Sequence, residues 1–224
     1  MLKFIIFTTL LSSLTFAQIQ TKPGSQDHYK NFSELAAKNV EGEDYVIELK
    51  NRNSKILVMA FHGGYIESGS TELASAITSE SFNFYTFKGL RVGEMDESSF
   101  TSSTLHLTST NFDEPQLMEL TSKADFCLGL HGFGGQEADF CVGGGNADER
   151  KELVKALTKA YPDYKSCELC CNPFNGTAKK NPVNRCKLQG IQVEMSPRVR
   201  KSILRDQTFL KSLSNVFKEY LDTL

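Results

Sequence analysis

Lys55 to Phe61 (KILVMAF) is a short, nearly unbroken apolar run, opened by the turn-rich Asn51-Arg52-Asn53-Ser54 and closed by Gly63-Gly64. A run of this length without polar alternation reads as a strand buried on both faces, which places helices on either side of a sheet. Asp125 to Leu130 (DFCLGL) repeats the pattern and ends at His131-Gly132. Further strands are expected at Tyr45–Leu49, Phe82–Phe87, Thr104–Thr108, Phe140–Gly144 and Leu188–Met195. Helices are expected at Phe32–Lys38, Thr71–Thr78, Asp148–Tyr161 and Ser202–Leu224, with one more opened by Asp113-Glu114-Pro115 and running through Leu120. Asn31 or Ser33 is placed to cap the first of these, and acids with a proline suit the first turn of the Pro115 helix. Strands and helices alternate, so the chain is expected to form one α/β domain with a mixed, mostly parallel sheet and helices on both faces.

The N-terminus follows another logic. Lys3 precedes an apolar stretch from Phe4 to Phe16, then Ala17 and polar residues. That is the pattern of a secretory leader, expected over residues 1–17, with the folded domain over 18–224. Six cysteines, an even number behind such a leader, read as disulfides. Local pairing within 167–186 and a Cys127–Cys141 bond are the expected pairs. Segment 162–187 carries four of the six and is expected to be a disulfide-fastened loop insertion. The formal net charge of -2 gives no basic face for nucleic acid. No interior run approaches the roughly 20 apolar residues that span a bilayer. Secretion, a chain free of the membrane once its leader is removed, and a monomer are the matching expectations.

Polar residues at the ends of the buried strands are the candidates for chemistry, because open α/β sheets bind ligands outside those ends. His62 ends one such run, His131 another, and Glu194 lies near the end of Ile191–Met195. Glu67 follows His62 by five residues, a loop length that can curl both side chains onto one cation. Two histidines and one glutamate, with one position open to water, make a hydrolytic zinc site. A carboxylate outside the ligand set moves the proton, and Glu194 is the candidate. Taken singly, each histidine reads as a strand-end residue bonded to its own loop. The set favours the metal. His106, between Leu105 and Leu107, competes with His131 as third ligand, and His28 belongs to the polar lead-in. Asn184 and Arg185, before the Glu194 strand, and Arg198 and Arg200, after it, are candidates to clamp a carboxylate. For a lone arginine, composition favours a solvated surface role.

Several motifs stand together in one order: His62 to Ala74 (HGGYIESGSTELA), Leu105 to Thr110 (LHLTST), Phe112 to Pro115, Leu130-His131-Gly132, Asn181 to Arg185 (NPVNR) and Gly190 to Ser196 (GIQVEMS). From about Asp27 to the C-terminus the chain resembles the poly-γ-glutamate hydrolase family. The resemblance implies a zinc carboxypeptidase-like α/β core and hydrolysis of γ-glutamyl amide bonds with one zinc ion. It implies ligands at His62, Glu67 and His131, a general base at Glu194, and substrate contacts from Asn184, Arg185 and Arg200. The substrate implied is an anionic γ-glutamyl polymer or peptide. Two departures bear on it: Tyr65 stands where the family pattern has glycine, and the cysteine-rich segment is an addition. Alternative readings are a zinc carboxypeptidase or amidase acting on peptides or peptidoglycan γ-glutamyl bonds, and a secreted binding protein without catalysis.

Overall fold

Strands β1 (Tyr45–Lys50), β2 (Ile56–Gly64), β3 (Asn83–Gly89), β4 (Phe126–Gly132), β5 (Phe140–Gly144), β6 (Ser166–Glu168) and β7 (Gly190–Met195) form one sheet in the order β1-β3-β2-β4-β7-β5-β6. The structure is a computed structural model and describes residues 27–92, 96, 98–99, 101–102 and 104–224. The leader expected over residues 1–17 lies outside the described residues. The four central strands, β3, β2, β4 and β7, run parallel. β1 and β5 join them antiparallel, and β6 pairs parallel with β5. The mixed, mostly parallel sheet is therefore as expected.

Among the described residues, six helices cover it: α1 (Phe32–Ala36), α2 (Ser70–Thr78), α3 (Pro115–Lys123), α4 (Ala147–Ala160), α5 (Pro197–Arg205) and α6 (Gln207–Leu221). Alternate residues of each strand point to opposite faces. Val58, Ala60, Leu128, Leu130, Ile191 and Val193 pack under α2, α4, α5 and α6. Leu57, Met59, Phe61, Tyr85, Phe87 and Cys127 face α1, α3 and the 105–112 loop. Each Val, Leu, Ile, Met or Phe among them taken from water contributes roughly 1.5–3 kcal/mol, which explains why the central runs carry no polar alternation.

Three expectations need correction. Thr104–Thr108 is not a strand: the segment is irregular and runs into a 3-10 turn at Ser109–Asn111. Leu105 and Leu107 are buried without a ladder partner, so their alternation records burial alone. The C-terminal helix is two helices broken at Asp206, whose carboxylate accepts from the Thr208 and Phe209 amides and caps α6. The disulfides are Cys127–Cys186, Cys141–Cys171 and Cys167–Cys170. Only the last is local. Cys127 on β4 and Cys141 on β5 are separated by β7, which lies between those strands. Segment 162–187 supplies β6 and a 3-10 turn at Pro182–Arg185.

Candidate metal centre

A β-bulge near the end of β2 aims the first site residue. Ala60 pairs with Thr86 and Gly63 with Lys88, so Phe61 and His62 together stand where β3 offers Phe87. Bulges of this kind redirect a side chain at a strand end. His62 therefore stays with Phe61 on the α3 face, its ring 6.1 Å from Phe112. The chain then turns tightly. The Glu67 amide donates to the His62 carbonyl at 2.9 Å, and the Ser70 hydroxyl donates to the Glu67 carbonyl at 2.8 Å. Helix α2 follows, its Glu72 carboxylate accepting from the Gly69 amide at 3.1 Å. Gly63 is glycine for a steric reason: a Cβ there would lie 2.1 Å from Thr71 Oγ1.

His131 and Glu194 are brought together by the sheet. They are register partners on adjacent parallel strands, β4 and β7, and so share a face. His62, Glu67, His131 and Glu194 are all buried. His62 Nδ1 lies 2.9 Å from Glu67 Oε1 and 3.2 Å from His131 Nδ1, which is itself 3.2 Å from Glu67 Oε2. The Gly132 amide donates to Glu67 Oε2 at 2.9 Å and fixes the carboxylate.

The hydrogen bonds assign the His62 tautomer. Its Nε2 lies 2.7 Å from the Leu107 carbonyl, which can only accept, so Nε2 carries the proton. Burial lowers the His62 pKa to about 4, against an opposing pull from Glu67, so the ring is neutral at pH 7. Nδ1 then presents a lone pair to a carboxylate and to a second imidazole. Burial pulls Glu67 upward, but the His62 and His131 rings hold it well below the usual carboxylate range. His131 is raised, because Glu194 and Glu67 outweigh its burial. Two imidazole nitrogens and a carboxylate oxygen thus converge on one point. The two nitrogens are 3.2 Å apart, and each lies 2.9–3.2 Å from one oxygen of the carboxylate, His62 from Oε1 and His131 from Oε2, contacts close to the ~3.3 Å between ligand atoms of a tetrahedral cation with bonds of about 2.0–2.1 Å. The donor set fits a divalent metal ion.

Around this trio stand residues that sequence reasoning missed or left open. Gln192 donates from Nε2 to Glu194 Oε1 at 3.0 Å and to the Phe174 carbonyl at 3.0 Å, while its Oε1 accepts from Asn181 Nδ2 at 2.7 Å. Gln192 is two residues from Glu194 on the same strand face, and that spacing was the available signal. Burial pushes the Glu194 pKa up to about 8, with Glu67 adding to the rise and His131 and Arg200 opposing it. His106 lines the site without joining the trio. Its ring centroid lies 4.3 Å from that of His62, and its Nε2 lies 3.9 Å from Glu67 Oε1. Its Nδ1 meets Asp27 at 3.1 Å.

The three residues expected to meet substrate are dispersed. Arg185 is exposed on the 3-10 turn, its Nε donating to the Lys180 carbonyl at 3.3 Å. The Asn184 amide is engaged with backbone, accepting from the Gly145 amide and donating to the carbonyls of Gly176 and Ala178. Arg200, expected to clamp a substrate carboxylate, has no exposed surface. A cation enclosed by protein does not face a solvated ligand.

The chain is 35% identical over 181 residues to the protein YndL of Bacillus subtilis (strain 168), which spans 80% of this chain and 68% of that one. The zinc-free, apo structure of YndL superposes with a TM-score of 0.76 at 32% identity, covering 88% of this chain and 98% of that one. The structure of a bacteriophage poly-gamma-glutamate hydrolase superposes with a TM-score of 0.77 at 28% identity, over 88% and 98% of the two chains. Residues 29–223 match the family described as poly-gamma-glutamate hydrolase, and the chain belongs to that family.

Proposed function

We propose that this protein is a secreted zinc hydrolase that cleaves the γ-glutamyl amide bonds of poly-γ-glutamate. The observation that carries the proposal is the convergence of His62 Nδ1, His131 Nδ1 and the Glu67 carboxylate, three buried groups whose ligand atoms gather at one place. Two nitrogens and one carboxylate oxygen are a donor set that zinc takes in hydrolytic sites. A zinc ion held there supplies Lewis acidity at the scissile carbonyl and makes water a nucleophile near neutral pH.

The protein's own residues do the rest. Glu194, beside His131 on the same face of the sheet, takes a proton from the attacking water and returns it to the leaving amine. Gln192 holds Glu194 Oε1 in place. The Leu107 carbonyl holds the His62 ring so that Nδ1 points inward. Every residue of the polymer carries an α-carboxylate, and the exposed Arg185 is the proposed cation for it. Asn184 keeps the Arg185 turn in place through its bonds to Gly145, Gly176 and Ala178. Export is part of the proposal, since three disulfides suit an oxidising compartment.

The test is the size of poly-γ-glutamate after incubation with purified protein, with and without a zinc chelator. Shortening that the chelator abolishes and added zinc restores is expected. Zinc-loaded protein that leaves the polymer intact would overturn the proposal.

A further inference from the structure

Arg200, on α5, is the largest fully buried side chain among the described residues. Burying a cation costs several kcal/mol unless it is paired and hydrogen-bonded, so its presence calls for a cause. Its guanidinium is spread across backbone carbonyls from separate parts of the chain. Nε donates to Met195 at 3.1 Å, Nη1 to Ser68 at 3.2 Å, and Nη2 to Phe133 at 3.1 Å and to Ser99. Met195 follows Glu194, Ser68 follows Glu67, and Phe133 lies two residues past His131. One planar group therefore holds the backbone beside each of three site residues that come from three different elements. The fit is close. A Cβ on Gly132 would lie 2.4 Å from Arg200 Nε, and one on Gly69 would lie 3.2 Å from Arg200 Cβ. The charge is complementary too: burial pulls the guanidinium pKa down while Glu67 and Glu194 push it back up.

We infer that Arg200 is the positioning residue of the metal centre. It holds Glu67, His131 and Glu194 at their mutual spacing and offsets the charge of the two carboxylates, and it does not touch the substrate. The inference rests on the zinc-centre reading above. It needs arginine, because a planar fork of five N–H donors reaches several carbonyls at once and the point charge of lysine does not.

The test compares wild type with Arg200→Lys, which keeps the charge and loses the fork. Zinc affinity is measured by competition with a chromogenic chelator, and kcat and KM are measured on poly-γ-glutamate. Arg200→Lys is expected to lose about 10- to 100-fold in zinc affinity, as loss of an outer-shell partner does, with kcat reduced and KM unchanged. Unchanged zinc affinity would overturn the inference, and a rise in KM alone would assign Arg200 to the substrate. Should the variant fail to fold, the Nε–H resonance of Arg200 in ¹⁵N-labelled wild type decides. It is expected to shift when zinc is removed, and a resonance that stays put would overturn the inference. Wild-type protein that binds no zinc would instead remove the reading beneath it.

Discussion

Glu194 and His131 face each other across one rung of a parallel ladder, yet they are assigned different tasks. His131 Nδ1 points at His62 and Glu67, whereas Glu194 is held by Gln192 outside that trio. Replacing Glu194 with Gln keeps the shape and removes the proton acceptor. Zinc content is expected to hold at the wild-type level while kcat falls about 10²- to 10⁴-fold, the usual worth of a general acid–base group. Retained turnover would remove Glu194 from the mechanism. The two candidate third ligands separate in the same way. His131→Ala is expected to lose the metal, and His106→Ala to keep it, because His106 Nε2 lies 3.9 Å from Glu67 and its Nδ1 is engaged by Asp27. Elemental analysis of the two dialysed variants decides, and the opposite pattern would exchange their roles.

Among the elements, the irregular 104–111 segment carries more of the site than its lack of regular structure suggests. Its Leu107 carbonyl fixes the His62 ring, and it is tied down by Asp27, which accepts from the Thr108 amide at 2.7 Å and from Asn111 Nδ2 at 3.2 Å. Burial raises the Asp27 pKa, but the bonds from His106, Thr108 and Asn111 outweigh it and lower the value from 3.8 to about 2. A carboxyl depressed in the fold contributes stability above its unfolded pKa, and that contribution is lost as pH falls through the folded value. Wild type is therefore expected to lose stability between about pH 4 and pH 2 more steeply than Asp27→Asn. Urea midpoints across that range provide the check, and parallel curves would mean that Asp27 does not hold the segment.

Across the whole molecule, the disulfides differ in what they close. Cys127–Cys186 spans 59 residues and ties β4 to the end of the Pro182–Arg185 turn, whereas Cys167–Cys170 spans 3. Closing a longer loop removes more entropy from the unfolded chain. Replacing both Cys127 and Cys186 with Ser is expected to cost about 4 kcal/mol, and the same change at Cys167 and Cys170 less than about 2 kcal/mol. Guanidinium unfolding of the two double variants measures the difference, and equal losses would contradict it. Cys141–Cys171 has a different place. It fastens the segment whose Phe174 carbonyl holds Gln192, and through it Glu194, so the cysteine-rich segment forms part of the wall of the site.

The central strands, most of the flanking helices and the four polar residues that the fold gathers at the candidate site were legible in the sequence. Unbroken apolar runs of strand length require burial on both faces, and a histidine or glutamate at the end of such a run stands at the ligand-binding edge of the sheet. The β2 bulge, the strand order that keeps Cys127 from Cys141, and the burial of Arg200 were not legible. Each depends on which distant segments become neighbours, and the local pattern does not specify that. Arg198 and Arg200 read alike as charged residues just after a strand, but Arg198 stays exposed against Asp139. Arg200 is enclosed because α5 turns it towards the carbonyls of Ser68, Phe133 and Met195, three groups that only the folded sheet gathers at one place.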